Sequence, residues 1–494
     1  MPAAGELGTI RTQVPSRLDR MPWSRFHWLI VSGLGTAWIL DGLEATMVGS
    51  VASRLTEPGS GIQLDAGQIG LAAAIYVVGS CLGALGFGQL TDRFGRKKLF
   101  MVTLLIYLAA TAATAASFSP WFFYLCRFCT GLGIGGEYAA INSAVDELIP
   151  ARNRGRVDLA INAGYWLGAA GGSLLAVVLL KTTLFPVDLG WRIAFLLGVV
   201  LGLAVLLVRR HVPESPRWLL VHGRDREAED LADGIEQRVQ AETGKQLPPP
   251  QQSITIEQRR TIRISEIARV AFRDYPRRSL LCLALFLGQA FLYNAVTFDL
   301  GTLLGEFFDV SSGSVPYYVA IYALASLVGP LALGPLFDTV GRRRMIAGSY
   351  FAATGLLVLT ALLFQGGGLN SWTFLGMIVA TFFFATSGAS AAYLTVSEIF
   401  PLETRALAIA FFYAIGTAAG GIAGPLLFGQ LIASGSVTAT AVGFYIGAGV
   451  MALGGLAEVV FGIDAERKSL EDIAKPLTAR SDQQANDDQP ARGL

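Results

Sequence analysis

Hydrophobic and polar positions in this chain separate into long blocks. The runs 99–116, 345–364 and 374–396 contain no charged residue, and each is close to the roughly twenty residues a helix needs to cross a hydrocarbon core. Reading such stretches between charged breaks predicts helices near 26–50, 66–90, 99–116, 121–145, 157–180, 191–208, 280–304, 315–337, 345–364, 374–396, 406–432 and 439–461. A buried helix in a large soluble protein would explain one such stretch, not a dozen. The predicted fold class is an all-α membrane protein of twelve spanning helices in two six-helix bundles.

The polar blocks orient the chain. Basic residues collect before the first helix (Arg11, Arg17, Arg20, Arg25) and on alternate connections: Arg93–Lys98, Arg152–Arg156, Arg342–Arg344, and Arg467 with Lys468. The positive-inside rule then places both termini and the long middle segment in the cytoplasm. The expected organisation is a cytoplasmic segment at 1–25, a bundle at 26–212, a linker with short surface helices at 213–278, a second bundle at 279–463 and a tail at 464–494. No apolar signal-peptide core precedes Phe26, so the first helix is expected to serve as its own insertion signal.

The halves repeat one another. Gly88-Gln-Leu-Thr-Asp92-Arg93-Phe-Gly95-Arg96 follows the second predicted helix, and Gly334-Pro-Leu-Phe-Asp338-Thr-Val-Gly341-Arg342 follows the eighth. Glu147-Leu-Ile-Pro150 with Arg154 ends the fourth helix, and Glu398-Ile-Phe-Pro401 with Arg405 ends the tenth. Two motifs at one offset imply a duplicated six-helix unit, as in transporters whose halves rock about a midplane site. The glycine permits a tight turn and the basic side chains remain at the headgroups, so Gly88, Asp92, Arg93, Gly95, Arg96, Glu147, Arg154, Asp338, Gly341, Arg342, Glu398 and Arg405 are candidates for a conformational gate.

Composition agrees: 53% of the 494 residues are hydrophobic and 15% charged, while a net charge of +1 identifies no acidic partner. All four cysteines fall in apolar segments, and the Cys126-x-x-Cys129 pair has no second pair to complete a metal site. No phosphate-binding loop or nucleophile triad emerges. Neither enzymatic nor ATP-driven chemistry is expected, and no cofactor, metal or nucleic acid.

Candidate chemistry lies inside the helices. Asp41 and Glu44 stand three residues apart on one helical face, and a carboxylate at membrane depth is costly and by default functional. By counting from the helix ends, Arg127 on the fourth helix reaches the depth of Glu44 and reads as the one strongly basic residue deep in the bundle. Glu137 closes the run Gly131-x-Gly-x-Gly135-Gly136-Glu137, whose glycines permit close helix packing. None of the three histidines lies at the membrane centre, which leaves carboxylates as proton carriers. Amides that both donate and accept hydrogen bonds occur at Asn162, Gln289 and Asn294, beside Tyr165, Trp166, Tyr293 and Asp299.

The paired Asp-x-x-Gly-Arg loops resemble the signature of the major facilitator superfamily. Pro213-Glu-Ser-Pro-Arg-Trp-Leu219 and Arg467-Lys-Ser-Leu-Glu-Asp-Ile473 are similar to sugar-porter motifs, and Asp41-Gly-Leu-Glu44 resembles the first-helix motif of aromatic-acid and other metabolite proton symporters. The resemblance implies alternating access in the plasma or bacterial inner membrane by a monomer, with symport of a proton and a small polar solute (sugar, polyol or organic acid). Export of drugs or metabolites, or nutrient sensing without transport, would be the alternatives. It further implies that Asp41, Glu44, Arg127 and Glu137 couple the proton. Asn162, Tyr165, Trp166, Gln289, Tyr293, Asn294, Asp299 and Tyr393 would bind the solute. The sugar-binding set is incomplete: Gly288 replaces a glutamine, Asp299 a tyrosine, Tyr393 a tryptophan, and Gly416 and Gly420 fall where sugar porters have asparagines.

Overall fold

A computed structural model of the chain describes residues 9–209, 213–250, 253–257, 269–400 and 405–463; within these, the side chains at 9, 89, 92, 96, 138–147, 151–156, 158–160, 217, 221, 254–257, 270–271, 338, 391–398 and 405–410 lie outside the description. The side chains of Asp92, Arg96, Glu147, Arg154, Asp338, Tyr393, Glu398 and Arg405 are therefore outside the described set, as is the segment Arg467–Ile473.

The described chain forms long helices at Arg25–Thr56, Ala66–Phe94, Arg96–Ala115, Pro120–Leu148, Ala151–Leu179, Gly190–Arg209, Pro276–Phe308, Val315–Thr339, Arg342–Gln365, Ser371–Ile399 and Val437–Phe461. The eleventh pass is composite: Arg405–Gly416, a π-helical turn at Thr417–Gly421, then Ile422–Ala433. They are called the first to twelfth helices below. Among the described residues, eleven are long and apolar enough to cross a membrane; Pro120–Leu148, whose described side chains include Arg127 and Glu137, is not among them. The first helix runs six residues past its predicted end and the seventh four, because the backbone ladder continues through polar residues until a cap or turn stops it. Gly95 and Gly341 are such stops. Each adopts φ near +100° (95° and 106°), which a side chain disfavours, between two consecutive helices.

By contacts the chain forms two compact units, one of Met1–Ile262, Asn294–Leu327 and Pro425–Ala439, the other of Arg263–Tyr293, Val328–Gly424 and Thr440–Leu494. In the first, glycines let helices meet backbone to backbone. A Cβ at Gly131 or Gly135 would stand 2.0 and 1.9 Å from carbonyl oxygens of Tyr76 and Ser80 on the second helix, while Gly133 and Gly136 abut the third at Tyr107 and Thr103. One glycine run thus serves two neighbours. Gly42 and Gly168 bring the first and fifth helices equally close. The same unit holds one end of the seventh helix against the first, where a Cβ at Gly49 would stand 1.9 Å from Thr297 O. In the second unit, Gly416 and Gly420 press on Phe286, Leu287 and Phe291 of the seventh helix. Side chains at those two positions would collide with that helix, a physical reason for the missing amides.

The first unit also contains a small layer of short elements. Strand Thr9–Thr12 pairs antiparallel with Ile254–Glu257, Thr12 opposite Ile254. Helices Val14–Asp19, Pro216–Val221 and Asp225–Thr243 join a core of Val14, Leu18, Trp218, Ala228, Ala232 and Ile235 that continues into Phe26 and Ile30 of the first helix. Arg17 bridges Glu229 and Glu236 at 2.7 Å each and also Asp233, and Arg20 contacts Glu236. Burial would push the Glu236 carboxyl up, but Arg17 and Arg20 outweigh it and hold it below its ordinary 4.5. A depressed acid stabilises the docked state above its ordinary pKa and loses that contribution as pH falls through the lowered value. Arg17→Glu is expected to free residues 9–24, raising limited proteolysis there about fivefold, the loss of about 1 kcal/mol that a networked exposed pair supplies. Acidification below the Glu236 value should do the same in the unaltered protein.

Candidate functional site

The fourth helix lies against the second and third through its glycines, and this fixes the direction in which its charged residues point. Arg127, 1% exposed, donates to Glu44, which is fully buried. Its guanidinium also lies over the Tyr76 ring, 4.9 Å from the centroid, and faces Phe195 at 5.9 Å. Desolvation of both ions is bearable only with such a direct pair and polarizable aromatic walls.

A second buried pair lies further along. Arg209, at the end of the sixth helix, donates through Nη1 and Nη2 to Oε1 and Oε2 of Glu137 at 3.1 and 2.9 Å, a bidentate fork. Its guanidinium stacks 3.8 Å from the centroid of Phe100. Arg209, the last residue of its helix, is 2% exposed, and Arg54, in the last turn of the first helix, is 4% exposed, so two further arginines are buried at helix ends. Arg209 was hidden because it adjoins Arg210 and His211 and so looks like an ordinary basic flank.

Asp41 lies between these pairs. It is 2% exposed, and neither carboxylate oxygen has a hydrogen-bond partner among the described residues. It feels the charges of Glu137, Arg209 and Glu44. The cluster therefore comprises three carboxylates and two guanidiniums, two pairs and one acid over. A buried carboxylate without a hydrogen-bond partner is costly, which sets Asp41 apart from the two paired acids.

The candidate solute residues distribute unevenly. Trp38, Tyr165, Trp166 and Tyr322 form an edge-to-face chain with centroids 6.2, 5.5 and 5.7 Å apart, and Asn162 lies one turn before Tyr165 and Trp166 on the fifth helix. Asn294 and Asp299 belong to this same unit, whereas Gln289 and Tyr293 belong to the other. Asp299 is 1% exposed and both its oxygens lack hydrogen-bond partners among the described residues. Of the gate candidates, the loop ending at Gly95 is held by Glu214, which accepts from the Lys97 N–H at 3.2 Å. No group of histidines, cysteines and carboxylates among the described residues could hold a metal ion.

Residues 44–476 match the family described as Sugar (and other) transporter. The niacin transporter NiaP of Acinetobacter baylyi is 30% identical over 83% of this chain and 89% of its own. The 4-hydroxybenzoate transporter PcaK of the same organism is 26% identical over 84% and 87%. Among solved structures, the xylose transporter XylE of E. coli in an inward open conformation superposes with a TM-score of 0.67 at 18% identity, covering 91% of this chain and 98% of that one; at this identity the likeness concerns the fold.

Proposed function

As the chain belongs to the sugar (and other) transporter family of the major facilitator fold, we propose that this transporter of small organic solutes is a proton symporter for a single-ring organic acid. The observation that carries the coupling is the odd carboxylate: Asp41 is buried without a hydrogen-bond partner among the described residues, while Arg127 and Arg209 are already paired with Glu44 and Glu137. Protonated Asp41 leaves the cluster neutral and able to change access. Ionised Asp41 puts an extra negative charge in a low-dielectric site and competes for the arginines.

The substrate class is supported by the aromatic chain Trp38–Tyr165–Trp166–Tyr322, by the glycines at 416 and 420, and by the names of the niacin and 4-hydroxybenzoate transporters. Aromatic edges and faces suit a planar ring, and within the same unit Asn162 and Asn294 are neutral hydrogen-bonding side chains suited to its carboxylate. A co-transported proton balances the acid's charge. The termini and the layer built on Arg17 face the cytoplasm, and the protein functions in the inner membrane as a monomer.

The test is uptake of niacin, 4-hydroxybenzoate and xylose into proteoliposomes with and without an acid-outside gradient. The gradient is expected to accelerate uptake of an aromatic acid and to leave xylose unmoved, and Asp41→Asn is expected to remove the acceleration while solute exchange at equal pH persists. Gradient-driven uptake by Asp41→Asn at the wild-type rate would overturn the assignment of Asp41, and preferential xylose uptake would overturn the substrate class.

A further inference from the structure

The seventh and twelfth helices of the second unit pack antiparallel in one register. A Cβ at Gly447 would stand 3.6 Å from the Phe291 ring, one at Gly288 would stand 3.0 Å from Val450 O, and one at Gly454 would stand 3.3 Å from Ala284 O. Continued toward the start of the seventh helix, this register sets Arg277 and Arg278 opposite Phe461 and Val460. There the close contact gives way to a cavity of about 510 Å³ lined by Arg277, Arg278, Val460, Phe461 and Ile463. Its two arginines are held differently. Arg278, half-buried, donates through Nη1 to the carbonyl of Ile399 at the end of the tenth helix and lies over the Tyr275 ring, 4.8 Å from the centroid. Arg277 is exposed and makes no hydrogen bond or ion pair among the described residues. Beside the cavity, Arg343 donates to Val459 O. Among the described side chains, Arg273, Arg277, Arg278 and Arg343 share this end with two carboxylates: Asp274, which is exposed, and Glu458, which is fully buried and folds back so that a Cβ at Gly462 would stand 2.7 Å from its Oε1. The balance is positive.

We propose that this cavity binds the headgroup of an anionic phospholipid. The positive-inside rule sets this end of the helices at the cytoplasmic leaflet, where basic pockets between spanning helices hold anionic headgroups. This rests on the cytoplasmic placement of that end and on neither the solute nor the proton coupling. The volume falls within the roughly 300–1,000 Å³ of small-molecule sites, and a guanidinium fork matches phosphate oxygens bidentately. Arg278 is already seated by Ile399 and Tyr275, so it loses little side-chain freedom when a phosphate arrives, and Arg277 closes on the phosphate from the exposed side. The apolar wall selects a lipid over a soluble phosphate. Val460 lines the cavity and also ends a stripe, Leu453, Leu456 and Val460, in which every side chain is more than half exposed. Spaced by three and four residues, they lie on one face of the twelfth helix. This is the surface an acyl chain covers while its phosphate stays at the arginines.

The test is thermal melting of the purified full-length protein in detergent, titrated with phosphatidylglycerol, with phosphatidylethanolamine of the same chains, and with glycerol 3-phosphate. Phosphatidylglycerol is expected to raise the melting temperature at a concentration about twentyfold below that needed for phosphatidylethanolamine, the product of about fivefold from each of two arginines at an anionic headgroup. Glycerol 3-phosphate is expected to leave it unmoved. Arg277→Gln should weaken the response to phosphatidylglycerol about fivefold, and adding Arg278→Gln should erase the preference between the two lipids. If the double variant does not fold, because Arg278 also seats on Ile399, Arg277→Gln decides alone. Lys181→Gln removes an equal charge from the exposed turn between the fifth and sixth helices and should leave the response unchanged. Equal responses to the two phospholipids in the unaltered protein would make the cavity an uncharged acyl groove, and an equal response to glycerol 3-phosphate would make it a site for a soluble phosphate. A response that Arg277→Gln weakens no more than Lys181→Gln does would place the lipid elsewhere. Each of these results overturns the assignment.

Discussion

Arg127→Ala is expected to abolish gradient-driven uptake, with a rate at least a hundredfold below that of the unaltered protein. The cause is specific to this pair. Glu44 is fully buried and Arg127 is its hydrogen-bond partner; removing one member of such a pair costs about 3–5 kcal/mol, or a factor of roughly a hundred to several thousand. Glu44 would escape that cost by binding a proton, and the cluster would then hold three acids against Arg209 alone. The protein can fold in that state but cannot cycle. Arg127→Lys keeps a charge and loses the planar fork over Tyr76, so a partial rate is expected. Ligand-induced thermal stabilisation should survive in both variants, separating a failure to cycle from a failure to bind. Gradient-driven uptake near the wild-type rate in Arg127→Ala would remove the pair from the coupling machinery.

Gly135→Val is expected to be the most damaging change outside the charge cluster. Even its first carbon would stand 1.9 Å from Ser80 O, so the second and fourth helices must part along the whole seam that also includes Gly79, Gly83 and Gly131. Overpacking of this kind costs about 1–3 kcal/mol when the neighbour is a side chain that yields, and here it is backbone. A drop in melting temperature of about 5 °C or more is expected, with loss of the aligned Arg127 as a second consequence. Gly171→Ala is the control, since a Cβ there meets nothing within 4 Å; its melting temperature should not move.

These expectations show which parts of the molecule were readable from sequence. Charge-free runs revealed the spanning helices because the bilayer imposes one length on all of them. The run Gly131–Gly136 announced close packing because no other residue lets helix backbones meet at that spacing. Glu44 and Arg127 could be matched by counting rise per residue, since both are single charges in apolar surroundings. Arg209 could not. A basic residue beside Arg210 and His211 looks like the end of a span, and only the placement of Phe100 and Glu137 beside it, from segments 72 or more residues away in the chain, makes it interior. Gly416 and Gly420 were visible as missing amides, but the reason, the pressure of the seventh helix on them, belongs to tertiary packing. The two-stranded ladder was similarly hidden, since Thr9–Thr12 and Ile254–Glu257 are too short for a strand periodicity to be distinguished from chance.

That two-stranded ladder has a meaning for the order of events during synthesis. Thr9–Thr12 leaves the ribosome before its partner strand, which is encoded about 240 residues later, after the sixth helix; at roughly 5–20 residues per second the wait is about 12–50 s. During this interval Arg17 likewise lacks Glu229, Asp233 and Glu236. The ladder closes only on a chain whose first six long helices have already been made. A polypeptide stalled or misinserted before that point keeps an unpaired strand and a bare arginine at its front end, so the opening residues act as a receipt for the first half of the protein.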